Sequence, residues 1–278
     1  MNAMINEKNE RLGEIISDMN RVIVAFSGGV DSTLVLKRAQ QELGTENVLA
    51  VVVASELFRK EEFEGAVKLA EEMGAKVLKT EIKELEDEGI AENTPDSWYF
   101  SKKLLYGHLN DLAKEMGYDY VLDGMIMDDM DDFRPGLRAR TEAGARSVLQ
   151  EADMYKREVR ELSKDLKLPV WNKPASCSLA SRIPYGTRID ITKIEQVNEA
   201  EKFIVKLGFN MVRVRHHETT ARIEVEPEKM SELLKHRDQI LLKLKNLGFM
   251  YVSIDLRGYR TGSMNEVLST EELEAQVN

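Results

Sequence analysis

The sequence of 278 residues contains a single cysteine, Cys177, and this scarcity excludes several kinds of site. One thiol cannot form an intramolecular disulfide, a four-thiolate zinc site or the ligand set of an iron–sulfur cluster. The sequence also lacks an apolar run near the roughly 18 residues that a membrane-spanning helix needs. Its first 20 residues are charged throughout and have no apolar stretch typical of a signal peptide. We therefore expect a cytoplasmic protein without a membrane partner.

The sequence has fewer basic than acidic residues. Lys and Arg total 39 against 49 Asp and Glu, which gives a formal net charge of −10. Such a chain does not bind nucleic acid by bulk attraction, because contacts with phosphates need local clusters of cations. Unless a local basic patch exists, we expect no nucleic-acid partner.

Apolar runs alternate with amphipathic segments in the first part of the chain. Strands are predicted at 21–26, 48–54, 76–80 and 120–122, and helices after the first strand and at 59–73, 98–116 and 155–167. This order predicts an α/β fold with a doubly wound parallel sheet. After about residue 185 the order becomes α-β-β-α-β, which predicts a smaller C-terminal α+β domain. We expect a first domain over 1–170, a linker loop over 171–186 that carries Cys177, and a second domain over 187–278.

The segment SGGVDS follows the first predicted strand and opens a helix; it consists of Ser27, Gly28, Gly29, Val30, Asp31 and Ser32. Two glycines let the chain turn sharply with its N–H groups exposed, and the helix start adds partial positive charge. The two serines add hydroxyl donors, and Asp31 is a candidate ligand for Mg²⁺. The segment therefore indicates a phosphate-binding loop, with an ordinary strand-to-helix turn as the alternative. It matches neither the Walker A nor the GxGxxG pattern.

With the preceding Phe26, this segment resembles the PP-loop of the ATP pyrophosphatase superfamily. The resemblance implies that ATP is cleaved between its α- and β-phosphates, that AMP is transferred to a substrate oxygen, and that a nucleophile displaces AMP. It also implies that residues 27–32 cradle the pyrophosphate and that Ser55, Gly124 and Met125 lie near the adenosine. The motif alone leaves the substrate open, because asparagine, GMP and NAD synthetases and tRNA thiolases look similar there.

Further stretches narrow the resemblance: SELF (55–58), NTPDSWY (93–99), DGM (123–125), RPGL (134–137), EAGARS (142–147), NKPASCSLASRIPYG (172–186) and VRVRHH (212–217). Together they resemble the LarE family, the ATP-dependent sacrificial sulfur transferases of nickel-pincer cofactor biosynthesis. The resemblance implies that Cys177 gives its sulfur to an adenylated carboxylate of pyridinium-3,5-biscarboxylic acid mononucleotide and becomes dehydroalanine. It implies ATP and Mg²⁺ as cofactors and a homo-oligomer. The single cysteine points to the sacrificial version rather than to the three-cysteine, cluster-bearing members of the wider group.

The residues around Cys177 also indicate reactivity. A lone cysteine is most often a buried, inert side chain. Cys177, however, lies between Ser176 and Ser178 in a loop segment, with Lys173 and Arg182 nearby in sequence. A polar, accessible loop with cations nearby favours a nucleophilic thiolate.

Five further residues are candidates for substrate binding. Alternation along the strand at 211–215 places Arg213 and Arg215 on one face, and paired guanidiniums suit a phosphate or carboxylate. The resemblance implies that both hold the substrate phosphate with Glu201 close by, that Trp98 lines the active site, and that Arg182 stabilises the thiolate or AMP. The alternatives are a solvated strand face, surface charges and, for Trp98, a packing anchor.

Three other functions are compatible with the phosphate loop. A tRNA thiolase needs a basic RNA face and usually paired cysteines, an ammonia-dependent amide synthetase needs no cysteine, and a nucleotide-sensing module binds ATP without releasing pyrophosphate. Metal sites beyond Asp31 are not indicated. The adjacent His216 and His217 point to opposite faces of a strand, and the acidic run at 128–132 is more typical of a solvated surface.

Overall fold

The computed structural model describes residues 3–130, 136–174, 176–260 and 262–268, so part of the RPGL stretch, Ala175 and the last ten residues lie outside the described chain. Its helices are α1 (Ala3–Ser17), α2 (Val30–Leu43), α3 (Lys60–Glu72), α4 (Glu88–Ala91), α5 (Ser97–Met116), α6 (Gly136–Ala143), α7 (Val148–Glu151), α8 (Lys156–Asp165), α9 (Ile191–Lys206), α10 (Met230–Lys235) and α11 (Arg237–Asn246). Its strands are β1 (Val22–Ala25), β2 (Val48–Ala54), β3 (Lys76–Glu81), β4 (Tyr120–Leu122), β5 (Val212–His217), β6 (Thr220–Val225) and β7 (Tyr251–Ile254).

The described chain groups into two compact units, an N-terminal unit of residues 3–84 and 98–176 and a C-terminal unit of residues 85–97 and 177–268. The boundaries expected at 170 and 186 stay predictions, but residues 85–97 differ from the expectation because they group with the second unit. The buried side-chain amide of Asn93 gives the physical reason. Its Nδ2 donates to the carbonyls of Ile183, Pro184 and Thr187 at 3.1, 2.8 and 3.0 Å.

The N-terminal unit is built on one parallel sheet with the strand order β3-β2-β1-β4. The central strand β1 pairs with β2 on one side and with β4 on the other. Parallel pairing confirms the prediction made from the continuous apolar runs. From β1 the chain first adds β2 and β3 on one side of the sheet and later adds β4 on the other side, so a topological switch point lies between β1 and β4. Sheets of this type bind ligands at such a point, beyond the carboxyl ends of the strands.

Apolar side chains cover both faces of this sheet. On one face Val22, Val24 and Ala50 pack with side chains of α1, α2, α3 and α8. On the other face Ile23 and Val51 pack with side chains of α5. Helices therefore lie on both faces, which confirms the doubly wound arrangement.

Helix α1 is an element that the sequence did not predict. Charged residues dominate it, yet Ile5, Leu12 and Ile16 are fully buried in the core cluster of the sheet. Burial of each such side chain contributes about 1.5–3 kcal/mol, so three apolar positions hold a mostly polar helix on the sheet.

The C-terminal unit contains a three-stranded sheet with the order β5-β6-β7. Strands β5 and β6 are antiparallel, with Arg213 opposite Glu224 and Arg215 opposite Arg222, and β7 runs parallel to β6. Apolar residues of α9 and α11 pack on this sheet in a separate core, which confirms the α+β prediction. The second helix of the expected α-β-β-α-β order is instead a 3-10 turn over Pro227–Lys229 followed by α10 and α11, which are separated at His236.

Candidate active site

Three candidate nucleotide-binding segments follow neighbouring strands of the parallel sheet. Ser27 lies two residues after β1, Ser55 directly after β2, and Gly124 two residues after β4. Because β1 lies between β2 and β4, and all three strands are parallel, the segments emerge at one edge of the sheet. The fold therefore brings together the loop, the serine and the glycine that the sequence had placed around a nucleotide.

The phosphate loop is ordered by its own hydroxyl groups. The Oγ atoms of Ser27 and Ser32 lie 3.1 Å apart, and the hydroxyls of Ser32 and Thr33 donate to the Gly29 carbonyl at 3.3 and 2.7 Å. Gly29 is the N-cap of α2 and has no side chain with which to cap it. The first N–H groups of α2 therefore need partners of another kind, and an anion suits them.

Two glycines are required by close backbone approaches. Gly28 has φ +67°, and a Cβ there would lie 2.9 Å from the Cα and Cβ of Ala66. A Cβ on Gly124 would lie 2.8 Å from the backbone nitrogen of Ser32. No larger side chain fits at either position without displacing the backbone, so Gly124 brings the segment after β4 directly against the phosphate loop.

Asp31, the candidate Mg²⁺ ligand, forms an ion pair with a lysine that sequence reasoning missed. Lys156 Nζ donates to its Oδ1 and Oδ2 at 2.8 and 2.7 Å. Among the described residues there is no group of three or more His, Cys, Asp or Glu side chains that could enclose a metal ion. Asp31 alone still fits Mg²⁺ that is bound together with a nucleotide, because this ion takes most of its ligands from phosphates and water and only one or two from carboxylates.

Ser55 contacts a buried glutamate that the sequence did not single out. The hydroxyls of Ser55 and Ser101 both donate to Glu84, which is 1% exposed, and Leu57 N–H donates to Ser55 Oγ at 3.1 Å. Burial raises the pKa of Glu84 above its usual value, although both hydroxyl contacts act in the opposite direction. Glu84 therefore fixes the side chain of Ser55.

A second buried carboxylate, Asp123, shapes the segment that contains Gly124 and Met125. It accepts hydrogen bonds from Tyr106 Oη at 2.6 Å, Ser147 Oγ at 2.7 Å and the backbone N–H of Met125 at 3.0 Å. Burial, followed by the charge of Asp123, raises the pKa of Tyr106, so this phenol stays a donor. Asp123 thus fixes the backbone of Met125, and Tyr106 and Ser147 fix Asp123 in turn. Sequence reasoning did not single out these three side chains.

Two acidic residues of the 128–132 run support loop structure, and residues 131 and 132 lie outside the described chain. Asp129 is buried and accepts from Ile126 N–H at 2.9 Å, while Asp128 accepts from Lys156 N–H at 2.7 Å.

Trp98 is half-buried in the first turn of α5, in the N-terminal unit. Its predicted role beside the substrate stays a prediction.

Cys177 is a free, exposed cysteine. It directly precedes Ser178, which caps a 3-10 turn over Leu179–Arg182 by accepting from Ala180 N–H at 3.2 Å. The exposure excludes the alternative of a buried, inert thiol. The sulfur is therefore available to a reaction partner.

Arg182 and Glu201 form a buried ion pair in the C-terminal unit. Nε and Nη2 of Arg182 each donate to one carboxylate oxygen of Glu201, at 2.9 and 3.0 Å. Nη1 donates to the carbonyls of Cys177 and Ser178 at 3.4 and 3.0 Å. Glu201 also accepts from the backbone N–H of Val214 at 2.9 Å. The alternatives of a surface arginine and a surface glutamate are therefore wrong, because both side chains hold the Cys177 loop on the sheet.

Arg215 is almost fully buried, so its strand face is not the solvated one that was considered as an alternative. Its guanidinium donates to both oxygens of Glu224 at 2.9 and 2.7 Å, to the Ser181 carbonyl at 2.7 Å and to Ser263 Oγ at 2.6 Å. Arg213, two residues earlier, lies over the Tyr259 ring at 5.0 Å from its centroid. The two arginines thus share a strand face but have different partners.

A pocket of about 140 Å³ opens beside this face in the C-terminal unit. Four arginines, two serines and one acid are among its lining residues: Arg182, Arg215, Arg222, Arg260, Ser181, Ser263 and Glu266, the last of which pairs with Arg260. Such a lining suits an anion with several oxygens. Sequence reasoning did not include Arg222 and Arg260 among the site residues, because they approach this pocket only through β6 and the segment after β7.

The candidate residues thus form two groups. The N-terminal unit contains the candidate nucleotide-binding residues and Trp98: Ser27, Gly28, Gly29, Asp31, Ser32, Ser55, Gly124, Met125 and Trp98. The C-terminal unit contains the cysteine and the other candidate substrate-binding residues: Cys177, Arg182, Glu201, Arg213 and Arg215.

A phosphate loop at the switch point of a parallel sheet narrows the possible families, and comparison with known proteins decides between them. A family model described as NAD synthase matches residues 4–98. The chain is 52% identical over 271 residues to the pyridinium-3,5-bisthiocarboxylic acid mononucleotide synthase of Lactiplantibacillus plantarum, with 98% of each chain covered. The chain belongs to the LarE family of ATP-dependent sulfur transferases. The family predicted from the sequence motifs is therefore confirmed.

More distant relatives of this LarE-family chain cover most of its length as well. It is 39% identical to an uncharacterized protein of Synechocystis over 96% of this chain and 100% of the relative. It is 26% identical to a glutamine-hydrolyzing GMP synthase polypeptide of Thermococcus kodakarensis over 92% of this chain and 80% of the relative. Use of ATP follows from LarE-family membership. Within the part of the chain that the structure describes, no helix has the length and apolar character needed to cross a membrane.

Proposed function

We propose that Cys177 is the sulfur donor and that each chain transfers its sulfur once, to an adenylated carboxylate of pyridinium-3,5-biscarboxylic acid mononucleotide. The observation that carries this proposal is the exposure of the one cysteine of the sequence in a loop that Arg182 holds in place. The name of the Lactiplantibacillus relative specifies a product with two thiocarboxylates. Each such product therefore consumes the sulfur of two chains.

ATP would bind at the edge of the parallel sheet. The backbone N–H groups and hydroxyls of residues 27–32 would hold the pyrophosphate portion, because the start of α2 needs an anionic partner. Ser55, Gly124 and Met125 would contact the adenosine, since they follow β2 and β4 on either side of the loop. Asp31 would hold Mg²⁺, which would neutralise charge on the phosphates.

The substrate would bind through its anionic groups. Arg213 and Arg215 are proposed to hold its phosphate, because the pocket beside Arg215 is lined by several guanidiniums. Trp98 is proposed to line the active site. Arg182 and Glu201 are proposed to act as positioning residues, since their charges are directed at each other and at the backbone of the Cys177 loop.

The chemistry then has three steps. A carboxylate oxygen of the substrate attacks the α-phosphorus of ATP, so that an acyl adenylate forms and pyrophosphate leaves. The Cys177 thiolate attacks the acyl carbon, AMP leaves and a thioester forms. Removal of the Cα proton of Cys177 breaks its Cβ–S bond, so that the thiocarboxylate leaves and dehydroalanine remains at position 177.

We also propose a cytoplasmic homo-oligomer that binds neither membrane nor nucleic acid. A donor thiol must stay reduced, which favours a reducing compartment. Large apolar side chains such as Leu242 and Leu256 are strongly exposed on the C-terminal unit, as expected for a surface between copies. Light scattering after size-exclusion chromatography tests this point, and a monomer at micromolar concentration would contradict it.

The variant Cys177→Ala separates this function from its alternatives. Wild type and variant are incubated with ATP, Mg²⁺ and the biscarboxylic mononucleotide, with and without ammonia. We expect both to release pyrophosphate and only the wild type to form thiocarboxylate. An amide formed by the variant with ammonia would support an amide synthetase, and the absence of pyrophosphate from the wild type would support a nucleotide-binding module.

A further inference from the structure

The backbone carbonyl of Cys177 faces a buried guanidinium. Arg182 Nη1 donates to this carbonyl oxygen at 3.4 Å, to the Ser178 carbonyl at 3.0 Å and to Ser181 Oγ at 2.8 Å. The other edge of the same guanidinium, formed by Nε and Nη2, binds the two carboxylate oxygens of Glu201. Glu201 thus fixes the plane of the guanidinium, and Nη1 is directed at the loop that carries the thiol.

The last step of the proposed reaction places new charge on this same carbonyl oxygen. When a base takes the Cα proton of Cys177, the electron pair of the C–H bond moves into the carbonyl group and its oxygen becomes an enolate. The enolate then collapses, a Cα=Cβ double bond forms, and the electron pair of the Cβ–S bond leaves on the sulfur of the thiocarboxylate. Hydroxide or a buffer base can accept the proton, because residue 177 is exposed to solvent.

Of the two bonds that break in this step, the Cα–H bond is the harder to break. A thiocarboxylate is a weak base and leaves without a proton, whereas a hydrogen next to an amide carbonyl is a very weak acid. A donor directed at the oxygen that gains charge lowers this barrier. Arg182 keeps its positive charge at any working pH, and its side chain is only 3% exposed, so water screens its attraction to an enolate weakly.

The length of the contact with Cys177 also fits a role in the transition state. At 3.4 Å it is longer than the roughly 2.7–2.9 Å of a hydrogen bond between two charged groups. A movement of about 0.6 Å would shorten it to that length as the oxygen gains charge. An interaction that is weak in the ground state and strong in the transition state raises the rate of the step. The shorter bonds from Nη1 to Ser178 and Ser181 already hold the loop in place.

We propose that Arg182 is a catalytic residue for the release of sulfur, because its hydrogen bond to the Cys177 carbonyl stabilises the enolate that precedes cleavage of the Cβ–S bond. This role goes beyond its positioning of the loop, and it rests on the proposed function of Cys177 as the sulfur donor. It assigns Arg182 to the elimination step rather than to adenylation or to formation of the thioester.

The buried pair is replaced as a pair, so that catalysis is separated from folding. Arg182→Met/Glu201→Gln removes both charges and keeps an acceptor for the backbone N–H of Val214, so no buried charge is left without a partner. Arg188→Met is the matched control, because this arginine of the same unit is half exposed and pairs with exposed glutamates. Urea unfolding checks that both proteins are folded under the conditions of the assay.

Rapid quenching and intact-mass analysis follow the reaction with ATP, Mg²⁺ and the biscarboxylic mononucleotide. They separate the free thiol, the thioester adduct and the dehydroalanine form of the chain by mass. We expect the double variant to accumulate the thioester adduct and to convert it to dehydroalanine about tenfold more slowly than the wild type, or more slowly still. The control should convert it at the wild-type rate. An adduct that decays in the double variant as fast as in the wild type would overturn the proposal.

A second measurement removes the dependence on ATP and substrate. A 1,4-dihalide alkylates the sulfur of the one cysteine twice, and the cyclic sulfonium that results eliminates in base to leave the same dehydroalanine. We expect this elimination, too, to be about tenfold slower in the double variant. Equal rates would overturn the proposal even where the variant forms no thioester adduct. Failure of the proposed function gives a different result, because the wild type would then form neither adduct nor dehydroalanine from ATP and the mononucleotide.

Discussion

Arg182 and Glu201 bind each other through two parallel hydrogen bonds of 2.9 and 3.0 Å, and their side chains are only 3% and 1% exposed. The same guanidinium donates to the carbonyls of Cys177 and Ser178. A buried ion pair is costly to break, because removal of one partner leaves the other charge without compensation in a poorly solvated place. The loop that carries the thiol is therefore held by a pair of charges as well as by the buried apolar side chains of Leu179, Ala180 and Ile183.

Replacement of Arg182 should destabilise the C-terminal unit and loosen the Cys177 loop. We expect Arg182→Met to lower the free energy of unfolding by about 3–5 kcal/mol, as for other broken buried pairs. Arg182→Lys should not restore it, because an ammonium cannot form both parallel bonds to Glu201. Urea unfolding measures the free energy of unfolding. The rate of Cys177 alkylation measures how accessible the thiol becomes when its loop loosens.

The exposed Arg188, which pairs with Glu88 and Glu92 in the same unit, provides the control. Arg188→Gln should change stability little, because solvent screens exposed pairs. An Arg182→Met protein as stable as the wild type would contradict the structural role of the buried pair.

Substitution of Gly124 should impair binding of ATP. In Gly124→Ala the new methyl group would lie 2.8 Å from Ser32 N, so either the phosphate loop or the segment after β4 must shift. We expect ATP affinity to fall about tenfold or more, which corresponds to loss of one or two hydrogen bonds. Fluorescence titration with a labelled ATP analogue measures the change.

Gly65→Ala is the matched control, because a Cβ at that position on α3 meets no atom within 4 Å. This control should bind ATP as the wild type does and be more stable by about 0.5–1 kcal/mol, since alanine favours a helix interior. Unchanged ATP affinity in Gly124→Ala would show that the contact between the two segments does not matter for the nucleotide.

Glu84 should make stability depend on pH. Burial raises the pKa of Glu84 above its usual 4.5, so the folded chain holds this proton more tightly than the unfolded chain. Its contribution is fully present below pH 4.5 and is lost as the pH rises through the raised value. Glu84→Gln removes the titration, so the variant should gain stability relative to the wild type as the pH rises from 4.5 toward neutrality. Urea unfolding across this range measures the difference, and a constant difference would contradict the role of burial.

Local sequence patterns were sufficient for the fold and for one part of the site. Continuous apolar runs such as 48–54 identified the buried parallel strands, and SGGVDS identified the sharp turn between β1 and α2, because strand burial and sharp turns depend on neighbouring residues. Helix α1 was missed because its few apolar residues are surrounded by charges. The family assignment rested on a set of longer motifs that spans the chain.

The partners of the site residues could not be predicted, because they are distant in the sequence. Asp31 and Lys156 are 125 residues apart, Ser55 and Glu84 are 29 apart, and Arg182 and Glu201 are 19 apart. Which of many charged residues meets another depends on strand order and register, and neither is encoded in a local pattern. A chain with 32% charged residues offers many such pairs, so only the folded structure selects between them.

The sacrificial role of Cys177 is tested most directly by comparing the number of chains that lose sulfur with the number of sulfur atoms in the product. Intact-mass analysis of the chain, before and after incubation with ATP, Mg²⁺ and the biscarboxylic mononucleotide, gives the fraction that has lost the mass of one hydrogen sulfide. Quantitation of thiocarboxylate in the same sample gives the sulfur transferred. We expect one dehydroalanine at position 177 for every sulfur atom in the product; product in molar excess over protein, with Cys177 unchanged, would contradict a sacrificial role.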